Sequence, residues 1–411
     1  MTEALEDQRP AGTGVQAGAP VTDWATDYDV LDPGYVVHPY DVWAELRTGC
    51  PVAHSDRWGG SWMPTRYADV AAVAHDTQRF SSRDVGVVGG GEEVEGFPDI
   101  GLPPIDKDPP AHTSARRLIL PWFSHDRVAS YEAMTRTLCD QLIDRVIDTG
   151  TADAAQDYAQ RIPVKVISWM LGVPDELADT FTEWVRDVLE HGHEPERSMP
   201  AWNAIAAFFL EALEQRRRDP GDDLVSDLLR AEIDGTPVPD DHVLGTLALI
   251  LVAGVDTTWS SIGSAMWHLA THDDDRRRLV AEPELIPTAI EELLRAYSPV
   301  TMARAVVEDT ELAGCPLRAG DKVLLSFAAA NRDPEAFERA DEVVIDRAVN
   351  RHVAFGVGIH RCAGSNLARM ELQVAVEQWL QRIPEFRLID GAQVTWAGGQ
   401  VRGPRRVPVE F

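Results

Sequence analysis

The chain has 411 residues, with 67 acidic against 38 basic side chains and a formal charge of −29 at pH 7. So acidic a surface repels phosphate backbones and anionic headgroups, which excludes nucleic acid and the membrane surface as partners and fits a soluble, cytoplasmic protein. Cys50, Cys139, Cys315 and Cys362 stand far apart with no Cys-x-x-Cys pair, so neither a zinc site, an iron–sulfur cluster nor a disulfide framework is expected.

Residues 1–36, rich in Gly, Pro, Ala and Asp, read as a disordered lead, and 37–411 as a single domain. No basic start followed by an apolar core marks a signal peptide, and the longest apolar run, near Leu247 to Ala253, is short for a bilayer. From Tyr40 the pattern becomes regular. It predicts a helix over 40–47, strands over 51–54 and 61–64, and a helix over 66–75. The stretch 85–98, dense in Gly and Glu, reads as a mobile loop. Pro109 and Pro110 then open a helix in which His112 and Arg116 stand one turn apart on one face, a donor pair able to hold a carboxylate.

Between 126 and 233 the apolar spacing predicts helices over 127–147, 164–171, 175–190, 201–218 and 223–231. The polar break over 190–200 carries His191 and His193 but no third residue to complete a metal site. The longest helix, 242–272, is apolar nearly all round at its centre and should be buried. Into that setting falls Ala253-Gly254-Val255-Asp256-Thr257-Thr258. A buried aspartate is costly without a partner or a task. Gly254, with a Thr257 hydroxyl bonding back to the carbonyl of Ala253, predicts a local distortion that admits water. Glu292 and Arg295 then form an i, i+3 pair, with Arg347 the candidate third member and His352 the alternative. Residues 300–304 read as extended, 311–327 as a hairpin and 385–411 as terminal strands.

The last signal is Phe355-Gly356-Val357-Gly358-Ile359-His360-Arg361-Cys362-Ala363-Gly364, followed by a helical pattern. A cysteine entering a helix N-terminus meets unpaired N–H groups and the positive end of the macrodipole, which favour the thiolate. The glycines let a flat, bulky group approach closely.

In this order, the Asp108-Pro109-Pro110-Ala111-His112 run with Arg116, the Ala253–Thr258 run, Glu292-Leu293-Leu294-Arg295 and the cysteine loop resemble the cytochrome P450 family from about residue 40 to the end. The resemblance implies a mainly α fold with a smaller β region and a long central helix crossing the haem. It implies haem b, iron protoporphyrin IX, with Cys362 as metal ligand and Phe355, Gly356 and Gly364 shaping its loop. His112, Arg116, Arg304 and His360 become propionate donors, and the break at 190–200 the hinge of the helix pair that opens and closes over the pocket. Thr257 and Asp256 become the catalytic alcohol and acid on the oxygen-binding face, relaying protons through ordered water. The substrate pocket is expected from Leu249, Val252, Ala253, Val300 and Met302, with loop residues near Val87 and Phe97.

The activity implied is that of the soluble bacterial type: O2- and electron-dependent hydroxylation or oxidative dealkylation of a small hydrophobic substrate, terpenoid or aromatic. With no cysteine cluster or dinucleotide fingerprint in the chain, electrons come from a separate ferredoxin and ferredoxin reductase, docking on a basic patch of Arg117, Arg361 and Arg369. Two other readings keep Cys362. A peroxide-driven haem-thiolate peroxygenase usually lacks the acid–alcohol pair present here, and a non-enzymatic haem sensor or carrier would consume no oxygen.

Overall fold

The computed structural model describes residues 18–88 and 101–411. Helices dominate, and the sheet region is small. Strands Val52–Ser55, Ser61–Pro64, Lys322–Ser326, Thr301–Val306 and Phe80–Ser81 lie side by side in that order as one five-stranded sheet. Its pairings are antiparallel except between Lys322–Ser326 and Ser61–Pro64. Thr301–Val306 lies inside the sheet between two neighbours, and Ala303, Arg304 and Val306 along it are buried. The expected hairpin over 311–327 divides. Thr310–Leu312 pairs with Cys315–Leu317, and Lys322–Ser326 instead joins the main sheet.

The helix Asp240–Thr271 runs through the middle. It passes a length-and-apolarity test for a membrane span, but its most hydrophobic window is 83% buried inside the fold. Leu247, Leu251, Ile262, Ala265 and Met266 are wholly inside, and each large aliphatic among them contributes about 1.5–3 kcal/mol. The expected distortion is absent: the segment stays α-helical from end to end. Gly254 has another reason. A Cβ there would lie 2.6 Å from Ile167 Cδ1, so the glycine lets helix Arg161–Leu171 pack against the long helix.

Two other expectations are corrected. Residues 18–36, read as disordered, are tied to the fold, with 27–30, Tyr35 and Val36 buried. The buried Arg57 donates to Asp27 at 2.7 Å, Asp29 at 3.1 Å and the Ala19 carbonyl at 2.6 Å, while Tyr28 and Val30 sit in the core beside Trp43 and Met63. One buried guanidinium fixes a segment whose apolar content alone would not. The polar break at 190–200 is also shorter than expected, because a helix starts at Pro195, where a missing N–H costs nothing, and runs to Arg218. Residues 1–17, and 89–98 of the expected loop with Phe97, lie outside the described residues.

Candidate active site

The cysteine loop closes on itself before the helix Ser365–Arg382 begins. Cys362 N–H donates to the Phe355 carbonyl at 2.8 Å and Gly356 N–H to that of Val353 at 2.8 Å. Gly356 and Gly358 hold φ of +68° and +76°, a region that side chains resist. A Cβ on Gly358 would lie 2.6 Å from the Ala74 carbonyl oxygen, and one on Gly364 3.5 Å from the Phe123 ring and 3.9 Å from Cys362 Sγ. Phe355 is clamped by Arg369, whose guanidinium lies 4.5 Å from the ring centroid. Arg369 in turn pairs with Glu291 at 2.6 and 2.8 Å, and His352 bonds the same carboxylate at 3.0 Å. The thiol is enclosed by protein, which pushes its pKa up. The Gly364 N–H and the Arg116, Arg361 and Arg369 guanidiniums pull the other way. The residue nevertheless keeps accessible surface.

Next to it lie the expected donors. His112 is buried, its ring 4.3 Å from that of His360, and its Nε2 has no hydrogen-bond partner. His360 Nε2 lies 2.9 Å from Ser82 Oγ. Burial, then Arg304 and His112, push the His360 pKa down to about 3, and burial brings Arg304 down to about 10. Arg304 donates to the Ala303 carbonyl at 2.7 Å, and Arg116 bonds the Arg361 carbonyl, placing its charge beside the thiol. Asp108 is the one acid that acts on both rings and on Arg304. Two imidazoles and a guanidinium around one acid, with Arg116 beside the thiol, form a site short of negative charge, which suits a ligand carrying carboxylates.

On the long helix, Leu249, Ala253 and Thr257 form an i, i+4, i+8 stripe left open in the middle of an otherwise buried element. Thr257 Oγ1 donates to the Ala253 carbonyl at 2.8 Å, as expected, so its lone pairs are free to accept. Of the five expected pocket residues, Leu249 and Ala253 lie on this stripe. Val300 and Met302 are partly buried beside the main sheet, and Val252 is buried in the helical core cluster. Val87 is buried with Tyr28 and Val30.

Asp256 is fully buried and belongs to a network that sequence reasoning missed. Arg405 Nη2 lies 2.8 Å from its Oδ1 and 3.0 Å from its Oδ2, and Arg405 Nε donates to Glu190 at 2.6 Å. The Oδ1 contact is short but off the N–H line, so that oxygen has no aligned hydrogen bond. Burial, with Glu190 adding to it, pushes the Asp256 pKa up to about 6 against the pull of Arg405 and Arg186. A signal was present: a buried aspartate needs a cation, and Arg402, Arg405 and Arg406 cluster near the C-terminus.

Arg347 is the third member of the Glu292–Arg295 set. Glu292 takes bidentate bonds from Arg295 at 2.8 Å, one from Arg347 at 2.8 Å and one from Asn350 at 3.0 Å. His352 serves Glu291 instead. Arg369 is likewise spent on Glu291, so the expected basic patch reduces to the exposed Arg117 and Arg361.

The family model Cytochrome P450 matches residues 193–388. The chain is 38% identical over 360 residues to mycinamicin IV hydroxylase/epoxidase of Micromonospora griseorubida, covering 85% of this chain and 89% of that protein. It is 38% identical to a steroid C26-monooxygenase of Mycolicibacterium smegmatis over 75% of this chain and 79% of that one. The structure superposes with a TM-score of 0.85 on CYP109E1 from Bacillus megaterium in complex with testosterone, at 29% identity over 92% of this chain and 99% of that one. The chain belongs to the cytochrome P450 family. It is a monooxygenase, an oxidoreductase with haem b as cofactor, and the family uses O2, a substrate and usually redox partners. The residues present fit that cofactor: an accessible thiol at Cys362, a buried imidazole nitrogen at His112 without a hydrogen-bond partner, and a donor set short of acids.

Proposed function

We propose that Cys362 would ligate the haem iron, in a loop shaped by Phe355, Gly356 and Gly364, and that His112, Arg116, Arg304 and His360 would hold the haem carboxylates. Bound there, haem with a thiolate ligand would supply the activation of O2. The chain's own residues supply the protons. Thr257 accepts from an ordered water through its free lone pairs, and Asp256 exchanges a proton at Oδ1. An acid with pKa near the working pH takes up and returns a proton with little bias. The observation that carries this reading is the open stripe Leu249–Ala253–Thr257 beside a buried, incompletely bonded carboxylate.

Leu249 and Ala253 of the stripe, with Val300 and Met302, are apolar and select a hydrophobic substrate, terpenoid or aromatic, for hydroxylation or oxidative dealkylation. A single domain over 37–411, joined by the residues 27–36 that pack on it, acts in the cytoplasm and draws electrons from a separate ferredoxin and its reductase. The test is a spectral titration with terpenes, phenols, aromatic ethers and a steroid, the last because named relatives act on or hold steroids. Compounds that perturb the haem band should be oxidised when NADPH, ferredoxin and reductase are added. Turnover with peroxide alone, and none with the redox proteins, would overturn the reading in favour of a peroxygenase.

A further inference from the structure

The strand Gly403–Arg406 lies directly on the long helix. A Cβ on Gly403 would fall 2.3 Å from Ser260 Cβ, and one on Gly263 would fall 3.1 Å from Pro404 Cγ. Two positions without side chains, one on each element, permit a contact that alanine would block at Gly403. The consequence is the position of Arg405, 149 residues from Asp256 in sequence. Its guanidinium stacks 4.2 Å from the Trp259 centroid and donates to Ser260 Oγ at 2.9 Å, to Asp256 and to Glu190. Every part of this arginine is held, and it is almost fully buried.

Resting on the assignment of Asp256 to proton delivery, we infer that Arg405 and Glu190 are positioning residues for that step, one cation shared between two carboxylates so that Asp256 is neither locked ionised nor locked protonated. The charged groups acting on Asp256 are Arg405 from the C-terminal strand and Glu190 and Arg186 from the end of helix Ala178–Leu189. Arg186 lies 3.2 Å from Glu190 and so acts mainly through it. Arg405 favours the carboxylate form, while burial and Glu190 favour the acid. Without Arg405, Asp256 keeps its proton. Without Glu190, Arg405 belongs to Asp256 alone and the acid stays ionised. Either loss slows exchange at Oδ1, but in opposite protonation states. A strand clip with no electrostatic task would not produce that opposition.

The test is infrared titration of the Asp256 carboxyl stretch in the haem-loaded protein, isolated by subtracting the Asp256→Asn spectrum. Arg405→Gln should move the midpoint up by about one pH unit or more, Glu190→Gln should move it down, and Arg405→Lys should restore it close to the wild-type value. Midpoints that stay put, or move in the same direction in both charge-removal variants, would overturn the inference. Should Arg405→Gln fail to fold, Glu190→Gln decides alone: a downward shift supports the inference and an unmoved midpoint overturns it. Failure of the underlying reading looks different. Asp256→Asn would then turn over a substrate from the panel with full coupling of NADPH to product, whatever the midpoints do.

Discussion

The two buried acid networks flanking the site are built on opposite principles. Around Glu292 every oxygen is bonded: two arginines, an asparagine and the Val344 N–H converge on it, and Arg295 spends its remaining donors on the carbonyls of Asn331, Ala340 and Glu342. Around Asp256 one arginine serves two carboxylates, and Oδ1 is left without an aligned bond. The first arrangement holds the carboxylate ionised and fixes the backbone leading to the cysteine loop. The second leaves a carboxyl near its titration point inside an apolar helix. A saturated network gives geometry, and on the role proposed for Asp256 an under-saturated one gives chemistry.

The largest expected effect breaks the saturated side. Arg295→Ala takes the bidentate partner from a buried carboxylate, leaving Arg347, Asn350 and the Val344 N–H, and should cost about 3–5 kcal/mol, seen as a drop in the urea midpoint and in haem content. On the under-saturated side, Thr257→Ala and Asp256→Asn should leave folding intact and lower coupled turnover on the order of 10²-fold, with the lost electrons appearing as peroxide. Unchanged coupling in both variants would remove the distinction between the networks. Next, Gly254→Ala should destabilise by about 1–3 kcal/mol through overpacking against Ile167, measurable as a lower melting temperature.

The pH dependence of stability sharpens the same contrast. Glu291, held by Arg369 and His352 against the cost of burial, has its pKa drawn down to about 2. An acid whose folded value is depressed stabilises the fold above its unfolded value of 4.5 and loses that contribution as pH falls toward 2. Asp256 has the reverse sign, because its raised value favours folding below 3.8 and loses that advantage as pH rises through about 6. Glu291→Gln should therefore flatten the acid limb of denaturant midpoints between pH 4.5 and 2, and Asp256→Asn should raise the midpoints above pH 6 relative to wild type. The smallest effect belongs to the exposed Arg117 and Arg361. Reversing both charges should slow reduction by ferredoxin several-fold at low salt, in stopped flow, without changing substrate affinity.

Much of this was readable in the chain, for a physical reason. The cysteine loop, the His112 helix and the Glu292–Arg295 pair are local patterns whose chemistry is set by residues a few positions apart. What the sequence hid was joined only by packing. Arg405 reaches Asp256 because Gly403 and Gly263 let a strand press on a helix, and no spacing encodes that crossing. Gly254 looked like a helix breaker because its neighbour Ile167 is distant in sequence. Residues 18–36 read as disordered because their anchor, Arg57, lies beyond them. Arg369 looked like free surface charge until Glu291 was seen beside it.

The account stands most directly on the sulfur of Cys362. The carbon monoxide difference spectrum of the reduced protein should show a thiolate-ligated band in the wild type and lose it in Cys362→Ser, with monooxygenation lost as well. A serine variant that keeps both the band and the turnover would contradict the assignment.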